Sequence, residues 1–209
     1  MIILFLSSVE GASCSVRVVA EAREDFVALR DKTFTAFRKE CRGKNGVERT
    51  SDCSSCSFST EPASPPRFDF VLRPIIPPFR LEFTVKANAD ALVALAESQT
   101  KGSIFAEIGI GGWSNSKSSI RACYSQICPA LLGDDAVHDE TGIISDVESR
   151  PFWVEYKGGV VTVGKGGQTE AFMEWDAKAY HMKSPVPVHV GISTFRFCHG
   201  SWTFYQFCP

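Results

Sequence analysis

The chain has 209 residues, a net charge of −2 and 22 % charged residues. That length suits one domain of ordinary size plus an extension, and a domain of about 140 residues buries roughly two-thirds of its unfolded surface. The near-neutral balance, with no basic patch, argues against a nucleic-acid partner.

Residues 1–8 are apolar but too short to span a bilayer. With Gly11, Ala12 and Ser13 behind them they read as the apolar part of a secretory leader, residues 1–13, although the basic start of a leader is missing. The alternative is a buried amino-terminal strand. No later run is long enough for a membrane helix. The eight cysteines, Cys14, Cys41, Cys53, Cys56, Cys123, Cys128, Cys198 and Cys208, are an even number, which beside a leader implies disulfides and an extracellular setting.

Residues 14–66 read as a helical, cysteine-containing extension followed by a linker. Phe26, Leu29, Thr33, Phe37 and Cys41 recur at three- and four-residue steps, which predicts a helix over 18–42; the competing reading makes 15–20 a short strand and only the later part helical. Gly43 to Gly46 stop it. From Lys44 to Pro66 the composition is that of a linker. Its Cys53-Ser-Ser-Cys56 pair lacks both the second pair that a zinc site needs and the helix that a redox centre wants, so structural bridges are expected.

A β domain is expected over 67–209. Phe68, Phe70 and Leu72 alternate; so do Phe79, Leu81, Phe83 and Val85 against Arg80, Glu82, Thr84 and Lys86, a strand with one dry and one wet face. Asn88 to Asp90 turn the chain into a strand over 91–96. In 105–121, Ala106, Ile108 and Ile110 alternate, Gly111-Gly112 supply positive φ, and Trp113-Ser-Asn-Ser-Lys117 forms a polar turn before Ile120 and Arg121 return. Cys123 and Cys128 bracket a small loop that a bridge could close, and residues 133–140 form an acidic loop without calcium-site spacing. Phe152, Val154 and Tyr156 alternate with Trp153, Glu155 and Lys157, so Trp153 is expected to be partly exposed. Gly158-Gly159 is a hairpin turn. A short strand over 172–176 follows, then a last hairpin of 188–197 with 202–208, turning at His199-Gly200. At about 3.3 Å per residue such a ladder keeps Cys198 and Cys208 too far apart to bond. Each then needs its own partner, and cysteines of the amino-terminal segment are the natural ones.

The segment Ile110-Gly-Gly-Trp-Ser-Asn115, with Lys117, Ser118, Ile120 and Arg121, resembles the signature of the farnesoic acid O-methyltransferase-type domain. Three further blocks match in order: 81–95, 150–164 with its Arg150-Pro-Phe-Trp-Val start, and 190–202. The resemblance covers about 67–209. It implies transfer of a methyl group from S-adenosylmethionine to farnesoic acid. The residues favour another reading. Glu107-Ile-Gly109-Ile-Gly111-Gly112 is superficially like a cofactor loop, but such a loop opens a helix, and 114–119 has turn composition.

The fold expectation is therefore an antiparallel β-sandwich of jelly-roll, lectin-like type behind a helical extension. Trp113 offers an aromatic face, with donors on Asn115, Lys117 and Arg121 beside it and Trp153 as a second aromatic. Face plus donors suits a saccharide or another small amphipathic ligand. The expected function is a secreted, non-catalytic recognition module without cofactor or metal, strengthened by oligomers or repetition. The alternatives are the methyltransferase and a structural extracellular domain. His138, His181, His189 and His199 fall in no catalytic motif.

Overall fold

The computed structural model describes residues 55–123, 128, 135–180 and 186–209, together with the strand backbones at 8–9, 12–16 and 39–42. The chain divides into two compact units, Met1–Ser55 and Cys56–Pro209. In the first, β1 (Ser8–Val9), β2 (Ala12–Val16) and β3 (Lys39–Arg42) form an antiparallel sheet. Its register sets Cys14 directly opposite Cys41. The helix expected over 18–42 is thus replaced by strand at its last four residues, and the rest of it lies outside the described residues. Most of the leader reading and Cys53 lie outside them too.

The second unit is two stacked antiparallel sheets. One has the order β14 (Ala171–Asp176), β13 (Val160–Lys165), β12 (Arg150–Lys157), β7 (Phe79–Ala87), β16 (Gly200–Phe204), β4 (Cys56–Thr60). The other runs β11 (Ala136–Asp139), β10 (Lys117–Ala122), β9 (Ile104–Gly111), β8 (Ala91–Ala96), β15 (His189–Phe195), β5 (Pro62–Ala63), with β6 (Asp69–Phe70) also on β15. Among the described residues only the β5–β15 pair is parallel. The chain passes between sheets from β4 to β5, β6 to β7, β7 to β8, β11 to β12, β14 to β15 and β15 to β16.

Period-two patterning explains the core. On β7, Phe79, Leu81, Phe83, Val85 and Ala87 are buried while their neighbours are not. They meet Phe152, Val154 and Tyr156 of β12, Trp202 and Phe204 of β16, and, from the opposite sheet, Val93 and Leu95 of β8, Ile108 and Ile110 of β9, Ile120 of β10 and Ile192 of β15 in one apolar cluster. Burying such side chains stabilises by about 1.5–3 kcal/mol each. Rings of Phe83, Trp202 and Phe204 lie 5.6–6.5 Å apart, within the range of favourable aromatic pairs.

Several expectations change. The linker ends earlier: residues 56–60 are an edge strand on β16, not a tether. The last hairpin does not exist, because β15 and β16 belong to different sheets. Cys198 and Cys208 still do not bond to each other. Cys208 is bridged to Cys56, a cysteine of the 14–66 segment as expected, but Cys56 opens a strand of the sandwich and so the bridge lies within the β unit. Cys198 is a buried free thiol, against the expectation of a bridge. Cys56, committed to Cys208, is not available for zinc. Cys123 and Cys128 are bridged as the loop suggested. The acidic stretch contains strand β11, which pairs with β10.

Candidate functional site

The site grows from the β9–β10 hairpin. Its register pairs Ser119 with Gly109 and Arg121 with Glu107. Residues Glu107, Gly109, Ser119 and Arg121 alternate with the core residues Ile108, Ile110 and Ile120, so they share the outer face of the seven-stranded sheet. A groove of about 860 Å³ lies there. Its floor includes Leu92, Glu107, Gly109, Ser119 and Arg121, and its rim includes Asp90, Trp113, Arg196 and Phe197.

The hairpin turn is left-handed. Gly111, Trp113, Ser114 and Asn115 have φ of 66, 49, 59 and 61°. Only glycine adopts this region at no steric cost; for other residues it costs roughly 1–2 kcal/mol each. The conformation is held both from outside the turn and by a bond within it. Asn115 Nδ2 donates to the Ile144 carbonyl (2.7 Å) and Asn115 Oδ1 accepts from the Ile144 amide (3.2 Å). The Gly142 amide donates to the Asn115 carbonyl (2.7 Å), and the Ser116 hydroxyl to the Trp113 carbonyl (2.7 Å). Trp113 remains 48 % exposed, whereas Trp153, Trp175 and Trp202 are buried. The Arg121 guanidinium and the Lys117 ammonium lie 5.3 and 5.4 Å from the centre of its ring, within cation–π range.

Charge in the groove is nearly balanced. Glu107 is 6 % exposed, and its Oε1 is 3.1 Å from Arg121 Nη1. At the rim, Asp90 has φ of 52°. Its amide donates to the Gly111 carbonyl (2.9 Å), and its Oδ2 accepts from the Cys198 thiol (3.8 Å). Burial pushes the Asp90 carboxyl above its ordinary range, against the thiol hydrogen bond and the pull of Arg196 and Arg121. Burial, then the Asp90 charge, also pushes the Cys198 thiol up. Both shifts run toward the neutral form.

Of the residues read from sequence, Trp113 and Arg121 line the groove. Lys117 flanks the ring and pairs with Asp139 at 3.5 Å. Asn115 does not line it: its amide serves the Ile144 clamp. Trp153 belongs elsewhere and is 3 % exposed, not partly exposed. Arg80 lies 3.8 Å from its ring centre, and its Nε1 donates to the Gln168 carbonyl at 3.0 Å. Alternation put Trp153 on the outer face, but the pattern could not reveal that Arg80 and the turn at Gln168 cover it. Sequence reasoning missed Asp90, Arg196 and Phe197. Phe197 was read as the end of a strand; it lies beyond β15 and is 88 % exposed. An aromatic next to a Cys-His-Gly turn was the available signal. Of the histidines, His138 pairs with Glu140 at 3.0 Å and His199 with Glu61 at 3.2 Å; His181 lies outside the described residues.

The glycine run at 109–112 ends in this turn, and β10 returns antiparallel to β9. It does not open a helix against a parallel sheet, the setting that cradles a dinucleotide-like cofactor. Among the described residues no group of three His, Cys, Asp or Glu is placed to hold a metal ion.

Three comparisons bear on the chain. No curated protein matches it. Among solved structures, the exoplasmic/lumenal domain of VIP36 in its Ca2+/Man-bound form is similar, at 9 % identity and a TM-score of 0.43 over 73 % of this chain and 74 % of that one. The model of the family described as farnesoic acid O-methyl transferase matches residues 64–206. That span takes in every strand from β6 to β16 and the whole groove. The chain belongs to the farnesoic acid O-methyl transferase family.

Proposed function

We propose that this chain is a non-catalytic recognition module that binds a saccharide in the groove on the outer face of its seven-stranded sheet. The observation that carries the reading is Trp113: a large aromatic held half exposed in left-handed backbone at the groove rim. Backbone strain of this kind persists only where surrounding contacts over-determine it, and it clusters at functional sites. An aromatic face suits the apolar face of a sugar ring. The Asp90, Glu107, Ser119 and Arg121 side chains beside it supply acceptors and donors for hydroxyls. The Cys56–Cys208 and Cys123–Cys128 disulfides support a secreted setting.

The second reading is methyl transfer from S-adenosylmethionine to farnesoic acid, favoured by the description of the family. A glycan array beside calorimetry with S-adenosylmethionine and farnesoic acid separates the two. Because the other three tryptophans are buried, acrylamide quenching reports mainly on Trp113. A bound glycan is expected to protect it, and Trp113→Ala to weaken binding about tenfold or more, the equivalent of about 1.4 kcal/mol. Micromolar cofactor binding with methyl transfer, and silence on the array, would overturn the proposal.

A further inference from the structure

Resting on the saccharide reading, we infer that the groove takes an extended, uncharged oligosaccharide of two or more rings, held between two aromatic jaws, Trp113 and Phe197. Three observations on different loops converge. First, Phe197 is 88 % exposed and lines the same groove as Trp113, although the two belong to separate turns, β15–β16 and β9–β10. An isolated exposed phenylalanine needs no explanation; one paired across a groove with a strained exposed tryptophan does. Second, among the described residues five of the six non-glycine residues with positive φ (Asp90, Trp113, Ser114, Asn115 and Arg196) fall in the three turns at this rim. Strain is therefore concentrated where the jaws are set. Third, Asp90 ties the two jaws together: its amide holds Gly111 on the Trp113 turn, and its carboxylate accepts from Cys198, the residue after Phe197. The spacing of the jaws is thus fixed by one residue on a third turn.

Ligand size and charge follow. A groove of about 860 Å³ lies toward the upper end of the roughly 300–1,000 Å³ range of small-molecule sites, more than a single sugar ring occupies. Among the described residues two carboxylates, Asp90 and Glu107, stand against two guanidiniums, Arg121 and Arg196, a balance that favours neither an acidic nor a basic chain.

The test uses the full chain and ladders of β-1,4-linked glucose, N-acetylglucosamine and mannose from one to six units. Wild type is expected to bind at least tenfold more tightly at three units than at one. Phe197→Ala is expected to cut that gain below threefold, with Tm unchanged since the ring is exposed. Trp113→Ala is expected to weaken every length. Binding that does not strengthen with length, or a length gain that survives Phe197→Ala, overturns the two-jaw inference and leaves the saccharide reading standing. If neither the ladders nor any glycan on the array binds, the saccharide reading falls and the inference falls with it. Binding of farnesoic acid at this groove instead would identify an isoprenoid site and overturn both.

Discussion

Replacing Cys56 and Cys208 together by serine opens a covalent loop that spans almost the whole sandwich. The bridged residues are 152 apart in sequence. In the chain-entropy treatment, a loop of that length removes about 17 cal/mol/K from the unfolded ensemble, or about 5 kcal/mol at 25 °C. The Cys123–Cys128 bridge, with a separation of 5, gives about 2 kcal/mol by the same relation. The two double-serine variants should therefore differ by about 3 kcal/mol. Burial does not predict this gap, because Cys208 and Cys123 are 7 % and 3 % exposed and lose similar packing. The Cys56–Cys208 bridge also anchors β4, which has a strand neighbour on one side only, so its loss frees an edge strand as well as the chain end. Urea unfolding of wild type and the two variants measures the difference directly. At about 2–4 °C per kcal/mol for a domain of this size, the Tm values should separate by roughly 6–12 °C. Equal costs for the two bridges, or a larger cost for the short one, would refute the loop-length reasoning.

Two further predictions concern positions away from the groove. At Gly164 an added Cβ would lie 2.1 Å from Trp153 Cε2 and Cζ2, and that ring is held by Arg80 and by its bond to Gln168. Gly164→Ala should cost about 1–3 kcal/mol by overpacking, with glycan binding unchanged; a Tm equal to wild type would contradict the placement of Trp153. Glu140 accepts from Lys165 Nζ at 2.6 Å and from His138 Nε2 at 3.0 Å. The Lys165 hydrogen bond, ahead of the opposing effect of burial and the help of His138, holds its carboxyl below the ordinary value near 4.5. A depressed folded value means that this stabilisation is fully present above about pH 4.5 and is lost as pH falls through the folded value. Glu140→Gln should flatten the acid-side decline of the urea midpoint; parallel pH profiles for the two proteins would refute it.

Much of the fold was legible because a strand announces its faces locally. The alternation of Phe79 to Val85, the Gly158-Gly159 turn (φ 59 and 85°) and the 105–121 hairpin all reappear in the structure. Each depends on residues close together in the chain. The strand over 91–96 was legible as a strand but not as one buried on both faces; Phe68 and Phe70, packed on Ala94 and Ala96, cover its outer side. The candidate site was half legible. Trp113 stood out as a large aromatic in a polar turn, and Arg121 came with the same motif. Asp90, Arg196 and Phe197 join them only because three turns from distant parts of the chain meet at one rim.

What the amino-acid order determined by itself is most of the longer sandwich strands, their dry faces and the tight turns, since these follow from period-two burial and from where glycine allows positive φ. Which sheet each strand enters was decided by the tertiary structure. The choice that parted β15 from β16, brought Cys208 to Cys56 and hid Trp153 under Arg80 depends on how two apolar faces fit each other across the core. That fit is a property of the assembled sheets, and no stretch of ten residues contains it.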